Sequence, residues 1–347
     1  MINKKLVLLS LTIILITSLG VISATDIQEN STDTNTIQKT QTSTNLQENT
    51  KTITKAEKLE NKKATNTEAP DYETFYNTLT TSTSDEVTVT LTSTTDTYTI
   101  TKPVTLNEAI NKLTINGNGK TINGDNKHNF LTIKHACNLI LNNITITKCN
   151  STDMYGGALY QENGNITINN SIFTENHVNT SLIYRFGGAI ALKNTNLNVF
   201  KSTFQSNGIL EEEIELPEYQ DQNMFGGAIY FNGKQHNISI IDSEFNENGL
   251  STDNTYQMGG ALFIDTAGTT TILNTKFSSN KAGEGAGIYY NGAEGSTFNM
   301  NDTVFEYNNY DVMSNLGAGL CIENNGSISF NNVNFTNKCD KQFSFPL

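Results

Sequence analysis

Apolar and polar positions after Gly156 fall into one cadence that repeats six times. Each copy opens on small residues followed by an aliphatic one: Gly156-Gly157-Ala158-Leu159, Gly187-Gly188-Ala189-Ile190, Gly226-Gly227-Ala228-Ile229, Gly259-Gly260-Ala261-Leu262, Gly285-Ala286-Gly287-Ile288 and Gly317-Ala318-Gly319-Leu320. A Phe follows 17 to 20 residues after the first Gly: Phe173, Phe204, Phe245, Phe277, Phe305 and Phe335. Asn stands three residues beyond five of them (Asn176, Asn207, Asn248, Asn280, Asn308), and Lys338 takes that place in the sixth. Seven residues before each Phe are Ile166, Leu197, Ile238, Thr270, Phe298 and Ile328, and five before are Ile168, Val199, Ile240, Ile272, Met300 and Phe330. Between these columns lie Thr167, Asn198, Ser239, Thr271, Asn299 and Ser329. Alternation with a period of two predicts a strand with one face inside. The column Ser171, Ser202, Ser243, Thr275, Thr303 and Val333 introduces a second short strand, and the Gly-Gly-Ala-aliphatic segment supplies a third.

The intervals vary unevenly. From motif to Phe they differ by three residues, whereas Phe277 to Gly285 is 8 and Phe204 to Gly226 is 22. One part of each coil is rigid and one corner accepts insertions, as in a solenoid. Three short strands per coil, each paired with its counterpart one rung away at ~4.8 Å, predict an all-β, right-handed, single-stranded parallel β-helix. Seven to nine rungs in a rigid rod are expected. The Phe column is expected to stack inside, and the Asn column to satisfy backbone groups at a turn.

Four regions follow from this reading. Residues 1–24 read as a signal peptide, with Lys4 and Lys5 before an apolar Leu6 to Ile16 and a small residue at Ser23 or Ala24; an uncleaved anchor is the alternative. Residues 25–69 hold almost no large apolar side chain and read as a disordered Thr/Asn-rich tether. Residues 70–112 are expected to cap the first rung, with Tyr72 to Leu106 covering its edge. Residues 113–347 are then the repeats, the earliest coils being degenerate (Leu113 to Gly117, Thr121 to Gly124, Leu139 to Ile146).

Charge excludes one class of partner. The chain carries a formal net charge of -13, which repels a phosphate backbone, so nucleic acid is not expected to bind. Its four cysteines allow three disulfide pairings; local ones, Cys137 with Cys149 and Cys321 with Cys339, suit an exported chain, with buried free thiols as the alternative.

The paired Gly-Gly-Ala-Ile/Leu and Phe-x-x-Asn landmarks resemble the polymorphic outer-membrane-protein repeat. The whole arrangement, from about residue 96 to 340, is similar to adhesin-like right-handed β-helix proteins of microbial, including archaeal, cell surfaces. That resemblance implies display outside the cell and adhesion to host or neighbouring-cell ligands. Outer-membrane relatives end in a membrane barrel, whereas twelve residues follow Phe335 here, so barrel anchoring is not expected. The expectation is a secreted or cell-surface, non-enzymatic monomer that binds a glycan or protein ligand and associates with the cell wall. A β-helix polysaccharide hydrolase or lyase and a structural wall or sheath component are the alternatives.

Candidate sites are few. The single Arg, Arg185, precedes a Gly pair and reads as structural, which leaves a lyase-type base unsupported. Asp242 and Asp302 stand three residues before their Phe, two rungs or ~9.6 Å apart, near the ~6.5–9.5 Å between carboxyls of inverting glycosidases. A polar turn ladder explains the same column, with Lys201 beside Asp242 as an exposed ion pair. Tyr160, Tyr230, Phe263 and Tyr289 share a column with Ala191 and Cys321 that is either an outward ligand-gripping stripe or core. The loop with Glu211, Glu212 and Glu213 reads as a solvated acidic corner or a site for a basic partner. No metal-ligand spacing occurs around His135, Cys137 and Cys149, and no metal or cofactor is expected.

Overall fold

The computed structural model describes residues 63–208, 222–249, 255–309, 317–324, 326–336 and 343–344. The signal-like segment, the tether up to residue 62, Glu211, Glu212, Glu213 and Cys339 lie outside the described residues. What is described is a parallel β-solenoid of about seven turns, with three walls of stacked strands.

The first wall carries the alternating strands. Its inward column runs Val89, Ile115, Leu141, Ile168, Val199, Ile240, Ile272, Met300, Phe330, each opposite the next. The second wall is the short strand around each Phe. Tyr98, Ile122 and Ile146 lead into Phe173, Phe204, Phe245, Phe277, Phe305 and Phe335. Centroids of the rings Phe204–Phe245 and Phe245–Phe277 are 4.9 and 5.0 Å apart. That is the rung spacing, so one Phe per coil makes a continuous stack. The third wall is the aliphatic column Leu131, Leu159, Ile190, Ile229, Leu262, Ile288, Leu320.

Turns explain the polar columns. Between the first two walls the backbone turns left-handed at Asn143, Asn170, Lys201, Asp242, Asn274, Asp302 and Asn332, with φ of 47–52°. Asn and Asp tolerate that region best because their short side chains bond locally. After the second wall, the predicted Asn column forms a buried ladder. Asn248 Nδ2 donates to Phe204 O (2.9 Å) and to Asn280 Oδ1 (3.0 Å), while Asn248 Oδ1 accepts from Asn207 N and Nδ2 (3.1 and 3.0 Å). The turn therefore stays buried with its polar groups satisfied. The chain then reaches the Gly pair. Gly226 has φ +71° and a Cβ there would meet Ile229 O of its own coil at 2.3 Å, while a Cβ on Gly227 would stand 2.1 Å from Gly260 O and force the rungs apart.

Three expectations need correction. Residues 64–69, assigned to the tether, form the first strand, Ala64–Ala69, paired in register with Glu86–Leu91. The region 70–112 is accordingly solenoid too, apart from helix α1 (Tyr72–Thr81), which was not foreseen. Asp71 caps α1 by accepting from Thr74 N at 2.7 Å. The helix buries Tyr72, Phe75 and Leu79, and Phe75 stacks on Phe130 at 6.0 Å. It thus covers the apolar end of the first turn. Finally, Cys137 and Cys149 are buried free thiols rather than a disulfide, as is Cys321. Two walls of the coil lie between Cys137, which opens a first-wall strand, and Cys149, which follows a second-wall strand.

Candidate binding face

The expandable corner is where sequence columns and structure diverge. Tyr184–Phe186, Gln222–Phe225 and Thr255–Met258 form a separate three-stranded parallel sheet, in register Arg185, Met224, Gln257. This corner sheet lies against the outer side of the third wall. Tyr160, Ala191, Tyr230, Phe263, Tyr289 and Cys321 form a second apolar cluster there, packed against Tyr155, Phe186, Phe225 and Met258. Phe263 stacks on Tyr230 and on Tyr289, both at 5.3 Å, and meets Phe225 edge-on at 5.0 Å. The stripe does point outward, but its rings are 3–9% exposed. They hold the corner sheet to the solenoid and do not form an open ligand-gripping surface. Burial pushes the hydroxyls of Tyr160, Tyr230 and Tyr289 well above the usual tyrosine range.

Arg185 is buried within the corner sheet at 1% exposure, in keeping with a structural role. Asp242 and Asp302 do share the turn column. Asp242 Oδ1 accepts from Asn274 Nδ2 (2.7 Å) and Asp302 Oδ1 from Asn332 Nδ2 (2.6 Å), so each acid is a ladder acceptor at a left-handed turn. They line one shallow surface with Glu244, Lys276 and Glu306, where Lys276 pairs with Glu306 at 2.8 Å. The expected Lys201–Asp242 pair does not form; Lys201 Nζ instead lies over the Phe200 ring at 4.9 Å.

Among the described residues, the outside of the first wall is an accessible face. Two outward columns run along it: Thr167, Asn198, Ser239, Thr271, Asn299 and, beside it, Asn169, Phe200, Ile241, Leu273, Asn301. A shallow groove lined by Asn165, Asn196, Asn198, Asn237, Ser239 and Thr271 lies along this face. Its floor is pre-organised, because Asn196 Nδ2 donates to Asn165 Oδ1 and Asn237 N and Thr269 N are held by Asn side chains, each at 2.8 Å. Phe200, 40% exposed, heads an apolar strip with Ile241 and Leu273 over three successive rungs. That strip is absent from the sequence-derived candidates. It was legible as the position four residues before each Phe, where Phe200, Ile241 and Leu273 replace Asn.

On the far side of the bend, another outward column reads Glu162, Lys193, Asn232, Asp265, Asn291, Glu323. Tyr160 donates to Glu162, and Lys193 Nζ lies over the Tyr155 ring at 3.9 Å. Asp265 accepts from Asn232 Nδ2 at 2.8 Å and from Asn291 Nδ2 at 3.1 Å. Burial raises its carboxyl above the ordinary value, opposed by Lys234. Among the described residues no group of His, Cys, Asp and Glu is placed to hold a metal ion. In comparisons with known proteins, no family model, no curated protein and no solved structure matches the chain.

Proposed function

We propose that this chain is an adhesin-like, non-enzymatic protein, secreted or held at the cell surface, that binds a glycan along the outer face of its first wall. The observation that carries the reading is the pairing of the Phe200–Ile241–Leu273 strip with the amide and hydroxyl columns beside it. A sugar ring has one C–H-rich face and a polar rim, and these columns offer a surface of each kind in adjacent rows. A peptide is less well served. Strand backbones on this face are hydrogen-bonded from rung to rung, so no free edge is offered for strand addition along the described turns. Resemblance to polymorphic outer-membrane-protein repeats supports the same assignment, as does the signal-like start of the chain, and wall association follows from them. A hydrolase gains no support from Asp242 and Asp302, whose ladder bonds account for both.

The test is binding of the purified full chain to a panel of immobilised wall and capsule polysaccharides, beside Phe200→Ser and Ser239→Lys. Both positions are outward, so the variants keep the fold. At least a tenfold loss of affinity in both is expected. Unchanged binding in both would sink the assignment to this face.

A further inference from the structure

A second hollow lies around the bend from the Phe200 strip, between the first-wall turns and the outside of the second wall. Its volume is about 320 Å³, in the lower part of the ~300–1,000 Å³ range of small-ligand sites, and Asn143, Thr145, Asn170, Ile172, Lys201 and Thr203 form most of its lining. Thr145, Ile172 and Thr203 make the floor, in register on three successive rungs. Ile172 is 42% exposed, an apolar side chain held in water between two threonines. The rim is the left-handed turn column Asn143, Asn170 and Lys201. Lys201 is the one cation among the described members of that column, and the one charged residue lining the hollow. Around it the column ladders through side chains: Asn170 Nδ2 donates to Asn143 Oδ1 at 3.2 Å, and Asn274 Nδ2 to Asp242 Oδ1 at 2.7 Å. Lys201, with φ 48°, interrupts the ladder at a turn that Asn would serve better. Among the described residues no carboxylate pairs with it, because Asp242 is turned to Asn274 and Lys201 Nζ rests over the Phe200 ring. The turn therefore carries a positive charge that its own geometry does not require.

We propose that this hollow seats one sugar ring bearing a carboxylate, at the edge of the glycan-binding face. Ile172 meets the C–H side of the ring and Lys201 Nζ takes the carboxylate in a charge-assisted bond. The Thr145 and Thr203 hydroxyls and Asn143 Nδ2, which has no acceptor among the described residues, are further donors for a group that only accepts. Phe200 precedes Lys201 in the chain and joins the hollow to the first-wall strip, so one glycan can occupy both. Further along the same bend the equivalent hollow is lined by Asp242, Glu244, Asp302 and Glu306, with Lys276 already paired to Glu306. A carboxylate is repelled there, and the columns beside the Phe200 strip are uncharged Asn, Ser and Thr. That distribution, in a chain of net charge -13, selects a single acidic ring on an otherwise neutral glycan, not a polyanion. The assignment rests on the glycan-binding reading and names the sugar class for it.

The experiment compares the full chain with Lys201→Asn and Ile172→Thr against matched probes: a neutral oligosaccharide ending in glucuronic acid beside its methyl ester, and sialyllactose beside lactose. The wild type is expected to prefer an acid to its neutral partner by about fivefold or more, less so in high salt, and the pair that shows the preference identifies the source of the carboxylate. Lys201→Asn restores the residue the turn favours, so melting should be unchanged or raised while the preference disappears and binding of the neutral partner stays. Ile172→Thr, the residue of the adjacent rungs, should weaken acid and neutral partner together and leave their ratio in place. Equal binding of acid and neutral partner in both pairs, or a preference that survives Lys201→Asn, overturns the subsite while leaving the first-wall face standing. Loss of all glycan binding in the wild type overturns both. Inorganic phosphate that displaces the acid as well as free glucuronic acid does overturns the assignment to a sugar.

Discussion

Replacing Asn248 by Ala tests whether the buried Asn ladder is a main source of rung-to-rung stability. The substitution removes four hydrogen bonds: two that Asn248 Oδ1 accepts from Asn207 N and Nδ2, and two that Asn248 Nδ2 donates to Phe204 O and Asn280 Oδ1. The backbone N–H of Asn207 and one of its two amide hydrogens are then left unmatched, the other staying on Phe173 O, and Asn207 is itself only 1% exposed. At about 1–3 kcal/mol for each orphaned buried group, the loss is about 4 kcal/mol. Asn248→Asp should be worse at neutral pH, because it keeps the acceptor but turns a second oxygen toward Phe204 O and Asn280 Oδ1. Acidification should recover part of that loss as the buried acid protonates. Asn196→Ala, which loses one bond to Asn165 and one from Asn237 N at the surface, is the control, with an expected cost of about 1 kcal/mol or less. Denaturant melts give the magnitude. Hydrogen exchange at residues 204–208 gives the location, because coils couple mainly to their neighbours. If Asn248→Ala costs no more than Asn196→Ala, or exchange rises elsewhere instead of at Asn207, the ladder is not what holds the rungs.

Two further outcomes follow from buried titratable groups. Thiol reagents should leave Cys137, Cys149 and Cys321 unlabelled in the native chain and modify all three after denaturation, because burial pushes Cys137 and Cys321 up to about 12 and Cys149 higher still; rapid native labelling of Cys149, or a disulfide found by peptide mapping, would contradict this. The stability of Asp265→Asn relative to the wild type should be higher at pH 7 than at pH 3, over a constant cost in the variant for one flanking Asn amide left facing a second amide nitrogen. The folded carboxyl has a raised affinity for its proton, so its contribution to stability is complete below the unfolded value near 3.8 and is lost as pH rises through the raised folded value. A stability gain that is equal at pH 3 and pH 7 would show that desolvation of Asp265 is not the cause.

Much of the fold was legible because stacking repeats the same physical demand in each coil. A buried turn needs a side chain that both donates and accepts, which only an amide does well, so Asn176, Asn207, Asn248, Asn280 and Asn308 recur at one position. A left-handed turn favours Asn or Asp, although Lys201 occupies it once, and that preference put Asp242 and Asp302 in one column and made them look like a catalytic pair. The same logic hid the rest. Helix α1 occurs once, so no column announces it, although Tyr72, Phe75, Tyr76 and Leu79 have helical spacing. The corner sheet arises from the segments whose lengths vary most, where alignment on the Phe positions loses register. Phe186, Phe225 and Met258 each fall one residue before their Gly pair, a regularity visible only when counting backward from Gly156, Gly187, Gly226 and Gly259. That count sets Tyr155 beside Phe186 and explains why the outward aromatic column is covered. A solenoid that satisfies its repeated positions identically keeps specificity for the places where a column changes residue type. On the proposed reading that place is Phe200, Ile241 and Leu273, which interrupt a column of Asn169, Asn301 and Asn331.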